Sequence, residues 1–159
     1  MSDRFQRSRV PVLPTVLFAD ASADFREMAR DALLEGRTAT VMRTVAGGEE
    51  LLAYLARSSS ADGGMSPAPS LIFVDVALPG EPGGLELIRR LKSDEKLRRI
   101  PVVALGSDDD AQTVTGAYDA GVNTYIVKPV TFLALVRLMK VFTAYWLETA
   151  ELPPGSEAA

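Results

Sequence analysis

The chain has 159 residues, with 17 Lys and Arg against 21 Asp and Glu for a formal net charge of −4, and it has neither cysteine nor histidine. Those absences exclude a disulfide framework, a thiolate nucleophile, cysteine-type zinc or iron–sulfur sites, histidine metal ligands and any Ser-His-Asp triad. A negative balance without a strongly basic block argues against nucleic acid as the main partner. Any chemistry must run on carboxylates, lysines, hydroxyls and backbone groups.

The first residues, through Leu13, read as a polar arm. Arg4, Arg7 and Arg9 stand there without a continuous apolar stretch, so no secretory signal is expected. Thr15–Ala19 is apolar throughout, does not alternate and stops at Asp20, as a strand buried on both faces does. Ser22 can cap a helix whose Phe25, Met28, Ala29, Ala32 and Leu33 recur at spacings of three and four, and Gly36 can end it. Thr38–Val45 reads as a second strand, broken by Gly47 and Gly48, and a helix through Leu51, Leu52 and Leu55 follows. Residues 58–70, rich in Ser, Gly and Pro, read as a surface loop.

Leu71–Val74 is the most apolar strand candidate and ends in Asp75. A turn-rich loop through Pro79 and Pro82 leads into a helix with Leu85, Leu87, Ile88 and Leu91. Pro101–Leu105 is the fourth strand; Asp108 to Asp110 can cap a fourth helix, which Gly121 ends. Val122–Val127 is the fifth strand, stopped by Lys128 and Pro129, and a long helix is expected from about Thr131 to Glu148. Arg137 and Lys140 interrupt that last helix, so it is no membrane span and a cytoplasmic location is expected.

The order is βα repeated five times, which implies a parallel sheet with helices on both faces. In such α/β sheets ligands bind beyond the carboxyl ends of the strands. Asp20, Asp75 and Lys128 stand at the ends of strands one, three and five. Each alone has a plain reading, as a turn, a helix cap or a solvated strand end. Converging, two carboxylates would bind a hard divalent cation, most plausibly Mg²⁺, and the ammonium would help neutralise a phosphoryl group. One carboxylate would be a nucleophile that forms an aspartyl phosphate. The three acids Asp108, Asp109 and Asp110 read as a solvated cap cluster, and Gly83–Gly84 lacks the spacing of a nucleotide-binding loop.

The segments VLFADASAD at 16–24, LIFVDVALPG at 71–80, PVVALGS at 101–107 and AYDAGVNTYIVKP at 117–129 resemble the receiver domains of two-component response regulators. The resemblance covers roughly residues 14–148, leaving arms at 1–13 and 149–159. It implies a flavodoxin-like, doubly wound (βα)5 fold with a parallel five-stranded sheet in the order 2-1-3-4-5. Carried over by position, it implies that Asp75 is the phosphoacceptor and that Lys128 contacts the phosphoryl group. Mg²⁺ would be held by Asp20, Asp75 and the backbone carbonyl of Ala77. It also implies a cis Lys128–Pro129 bond and puts Tyr125 at the aromatic switch position.

The chain departs from the family at two places. Where receivers usually carry a pair of acids after the first strand, Ala19 stands before Asp20. Where they generally place Ser or Thr at the end of the fourth strand, this chain has Gly106. Ser107 is adjacent, but its side chain should point to the opposite side if the strand continues. The hydroxyl that links phosphate to the switch aromatic is therefore missing, and Tyr125 reads slightly better as a partly buried strand aromatic.

On the last helix, Phe132, Leu135, Met139, Phe142 and Trp146 form one apolar stripe. Leu133, Val136, Leu138, Val141 and Tyr145 fall largely outside it. Apolar residues nearly all round imply a second covered face. A homodimer through Leu138, Val141 and Tyr145 is expected; the alternative is that the tail folds back. The segment FTAYW at 142–146 resembles the small receivers that partner bacterial and cyanobacterial phytochromes.

The resulting expectation is a single-domain response regulator without a DNA-binding output domain. It would take phosphate from a histidine kinase, a bacteriophytochrome on the narrower resemblance. It would be no enzyme beyond Mg²⁺-dependent self-phosphorylation and dephosphorylation. The competing expectation is a pseudo-receiver, a dimeric interaction module that works without phosphate. Flavodoxin and phosphatase readings fail for want of a phosphate loop and of a second acid at position 77.

Overall fold

Five short apolar runs form the strands of a single sheet in the computed structural model, which describes residues 13–58 and 66–153. They are β1 (Thr15–Ala19), β2 (Val41–Val45), β3 (Leu71–Asp75), β4 (Val102–Gly106) and β5 (Thr124–Val127). All pair in parallel, in the order β2-β1-β3-β4-β5. Every position of β1, β3 and β4 is buried, because helices cover both faces of these inner strands. The edge strands β2 and β5 carry the half-exposed positions.

The helices are α1 (Ala23–Glu35), α2 (Gly48–Ser58), α3 (Gly84–Ser93), α4 (Ala111–Ala120) and α5 (Phe132–Thr143). Two cores result. One packs Leu17, Ile72, Val74 and Ala104 against Leu51, Leu55, Leu87, Ile88 and Leu91. The other packs Phe18, Phe73, Val103 and Leu105 against Ala29, Leu33, Leu135, Met139 and Phe142. Three helices are capped by side chains, two of them at the caps the sequence offers, Ser22 and Asp110, and one at Thr131, the expected start of the last helix. Ser22 Oγ accepts from the Phe25 amide, Asp110 from that of Thr113 and Thr131 from that of Ala134. Gly121 ends α4 with φ 109°, in the left-handed region.

Several boundaries differ from the sequence expectation. Helix α1 ends at Glu35 and the turn that follows takes a positive φ at Arg37, so β2 begins only at Val41. Strand β5 begins at Thr124, just after Asn123, whose side chain accepts the Val102 amide and whose own amide donates to the Val102 carbonyl. Strand β4 extends one residue further, so Gly106 lies within the sheet and Ser107 beyond it. The last helix changes form. It is α-helical to Thr143 and then widens into a π-helical segment, Ala144–Thr149. The Thr143 hydroxyl donates back to the Met139 and Lys140 carbonyls at 2.8 and 3.2 Å, competing for acceptors where the widening begins.

The α5 stripe is also rotated from the expected one. Phe132 is exposed, whereas Val136 is buried and Leu138 packs partly against the second core. Leu133, Val141 and Tyr145 remain exposed. Among the described residues the cis peptide bond is Glu81–Pro82, and Lys128–Pro129, expected to be cis, is not. Most of the N-terminal arm, residues 1–12, and the end of the tail, residues 154–159, lie outside the described residues, as do residues 59–65 of the surface loop.

Candidate functional site

Register brings the three charged strand ends together. Ala19 pairs with Val74, so the next residues, Asp20 and Asp75, leave the sheet side by side. Asp75 pairs with Leu105 and Gly106 with Val127, which sets Lys128 across β4 from Asp75. Two backbone bonds hold this edge: the Val76 amide donates to the Leu105 carbonyl, and the Lys128 amide to the Gly106 carbonyl at 2.7 Å.

The Lys128 ammonium bridges both acids. Its Nζ lies 2.7 Å from Asp75 Oδ2 and 2.5 Å from Asp20 Oδ2. The second oxygen of each carboxylate is held by backbone. Asp75 Oδ1 accepts the Ala77 amide and Asp20 Oδ1 the Ser22 amide, each at 2.8 Å. Asp20 is 1% exposed and Asp75 7%. Asp20 Oδ2 is the exception within this network. It is buried beside the ammonium, yet it accepts no hydrogen bond of good geometry.

Electrostatics follow from burial and count. Two carboxylates face one ammonium, so the cluster carries −1 when all three are charged. Burial pushes the Asp20 carboxyl above its ordinary value, against the pull of Lys128 and the Ser22 amide. Burial by itself would lower Lys128, but its close contacts with the Asp20 and Asp75 carboxylates outweigh that and hold the ammonium above the usual lysine value.

The donor set fits a hard divalent cation. It offers two carboxylates and one oxygen, Asp20 Oδ2, that is buried without a hydrogen bond. Among the described residues no group of three or more His, Cys, Asp and Glu forms a metal cluster, so a third ligand would be an oxygen of another kind, such as a backbone carbonyl. Ala77, whose amide already turns toward Asp75, is the residue the sequence put forward for it.

Several contacts were invisible in the sequence. The Phe25 ring lies under the Lys128 ammonium, 4.7 Å from Nζ to its centroid. Arg26 Nη1 donates to the Asp20 carbonyl at 2.7 Å and so fixes the turn that carries the acid. Both sit in the first turn of α1, and only their closeness to Asp20 could have signalled them. Gly84, the first residue of α3, lies so close to the Asp75 and Val76 carbonyls that a Cβ there would collide with both.

The second corner of the edge is built on Gly106. Tyr125 pairs with Ala104, two residues before Gly106 and on the same face of β4. Its ring runs along the strand, and a Cβ on Gly106 would fall within about a bond length of the phenol oxygen. The hydroxyl donates to the Asp108 carbonyl at 2.7 Å. Ser107 is exposed and beyond the strand. The reading of Tyr125 as a mere strand aromatic therefore misses its fit over Gly106.

The first curated relatives are matched over only 59% and 55% of their own lengths. One is response regulator Rcp1 of Synechocystis, 35% identical over 88 residues, or 55% of this chain. A structure of RPA3017, described as a response regulator in red light signalling of R. palustris, has a TM-score of 0.81 at 30% identity. It covers 90% of this chain and all of that one. The phosphorylated cyanobacterial phytochrome response regulator RcpA has a TM-score of 0.77 at 31% identity and covers 89% of this chain and 99% of its own. The response regulator receiver domain matches residues 16–140, and the chain belongs to that family.

Proposed function

We propose that the chain is a response regulator that accepts a phosphoryl group from a histidine kinase on Asp75. Residues 14–148 would act as the receiver. One observation carries the reading: a single ammonium, Lys128, bridges two buried carboxylates at the ligand-binding edge of a parallel sheet. A plain structural ion pair has no use for the second acid.

In the transfer, one Asp75 oxygen attacks phosphorus and forms the P–O bond. The P–N bond to the kinase histidine breaks, and its electron pair returns to the imidazole. Lys128 neutralises charge on the phosphoryl oxygens, and the Ala77 amide orients Asp75. Receiver domains bind Mg²⁺ at their acidic pocket; here Asp20, Asp75 and the Ala77 carbonyl would hold it. The ion would offset the negative charge of carboxylate and phosphoryl as they meet. Self-phosphorylation and loss of the phosphate are the only turnover this assigns.

The test is incubation with Mg²⁺ and acetyl phosphate, read by intact mass. A phosphoryl adduct is expected, absent in Asp75→Asn. No adduct on the wild-type chain would refute the reading and leave the pseudo-receiver, which Ala19 and Gly106 favour, as the better account.

The partners follow the relatives. A phytochrome-type kinase is supported by the likeness to RPA3017, a response regulator in red light signalling, and to the phytochrome response regulator RcpA. A cytoplasmic location fits such a kinase; among the described residues no helix is long and apolar enough to cross a membrane. The acidic balance speaks against nucleic acid as a partner. A homodimer would use Leu138, Val141 and Tyr145, of which Val141 is 64% and Tyr145 55% exposed. Light scattering of Val141→Glu should report a lower mass than the wild-type chain; equal masses would count against this face.

A further inference from the structure

The phenol oxygen of Tyr125 occupies the place where a side chain on Gly106 would begin. Sequence reasoning treats Gly106 as a lost hydroxyl. The geometry reverses that: glycine is the one residue that lets the phenol stand there, and the phenol is itself a hydroxyl. The position is also close to the acceptor. Gly106 is one residue along and one strand across from Asp75, so from strand spacing and rise their Cα atoms lie about 6 Å apart. The Asp75 charge is among those that act on the phenol, so the two groups stand within electrostatic reach of each other.

Resting on the proposed function, we propose that Tyr125 is a phosphoryl-contacting residue, and that its phenol supplies from β5 the hydrogen bond for which β4 has no side chain. The phenol has a single proton, which now goes to the Asp108 carbonyl. Donating it to a phosphoryl oxygen releases that carbonyl and unties the loop between β4 and α4. The phenol stays protonated to do so. Burial raises it first, and the charges of Asp108, Asp110, Asp109 and Asp75 add to that.

The test compares three variants with the wild-type chain under Mg²⁺. It follows the rate of phosphorylation by acetyl phosphate and the affinity for beryllofluoride by calorimetry. Tyr125→Phe keeps the ring and removes the hydroxyl, so both should fall about tenfold or more, as for a lost hydrogen bond to a charged group. Gly106→Ala and Gly106→Ser both drive the phenol out by the same Cβ. Only serine brings a hydroxyl of its own, so Gly106→Ser should stay within about threefold of the wild type while Gly106→Ala falls like Tyr125→Phe. A purely structural role would make the alanine and serine variants alike, and that result overturns the proposal. So does a Tyr125→Phe chain that reacts at the wild-type rate. If the wild-type chain itself gains no phosphate, the function reading falls and this inference with it. If it reacts and Tyr125→Phe reacts equally well, only this inference falls.

Discussion

Two corners of one sheet edge are built on different principles. The corner of Asp20, Asp75 and Lys128 is made of charge: buried groups of opposite sign, held by backbone amides and by each other. The corner of Gly106 and Tyr125 is made of shape: a missing Cβ and a ring that fills its place. Charge announces itself in sequence, because an ionisable residue at the end of an apolar strand is costly unless it is used or paired. Shape does not, because a glycine looks like a deletion until the neighbour that occupies its space is seen.

The largest way to break the charge corner is to take away its cation. Lys128→Met leaves two carboxylates side by side, 1% and 7% exposed, with no ammonium between them. Removing one partner of a buried ion pair costs about 3–5 kcal/mol. At pH 7 the thermal midpoint should therefore drop by roughly 10 °C or more. Acidification should recover part of the loss, since protonating either acid relieves the repulsion. Phosphorylation by acetyl phosphate should fall about 100-fold. A midpoint within 2 °C of the wild type (on the order of 0.5 kcal/mol) would mean that the ammonium is not the structural cation of this corner.

That contrast also governs what could be read beforehand. The five strands and the three charged ends follow from apolar runs that stop at Asp20, Asp75 and Lys128, whereas the strand order was legible only through the family resemblance. The caps at Ser22 and Asp110 follow from local hydrogen bonding alone. Features set by distant packing were not legible. The Phe25 ring under Lys128, the rotated stripe of α5 and the π-helical end after Thr143 depend on which neighbours arrive. The Gly106–Tyr125 fit joins positions 19 residues apart on paired strands, and no spacing rule predicts which side chain leans over a glycine.

A smaller change sharpens the charge corner. Asp20→Asn keeps the shape and removes the surplus negative charge, leaving Lys128 and Asp75 as a neutral pair. Mg²⁺ affinity, measured by titration calorimetry, should fall at least about tenfold, because a direct carboxylate ligand is gone. Stability should move the other way. Burial holds the Asp20 carboxyl above its ordinary value, so the folded chain binds that proton more tightly than the unfolded chain. The wild type therefore loses stability as pH rises above the ordinary aspartate value of 3.8 through the raised one. The variant has no such loss. Without metal its midpoint should exceed the wild-type midpoint by about 2–4 °C at pH 7, a gain on the order of 1 kcal/mol. The gap should close toward acid pH. A lower midpoint for the variant at pH 7 would show that Asp20 is held there for stability.

The smallest expected effect lies at Ser107, and it separates the two corners most cleanly. Ser107 is the hydroxyl nearest in sequence to the one that Gly106 lacks, so a reading by composition would give it the role. The fold denies it that place. β4 ends at Gly106, Ser107 is exposed beyond the strand, and the space beside the edge is already filled by the Tyr125 phenol. Ser107→Ala should change the rate of phosphorylation by less than about twofold, under 0.5 kcal/mol, as an exposed residue without a partner does. Measured beside Gly106→Ala, it asks whether the edge is short of any hydroxyl or of one at a defined position. A tenfold loss in Ser107→Ala would return the role to the neighbouring serine and reduce the Tyr125 ring to packing.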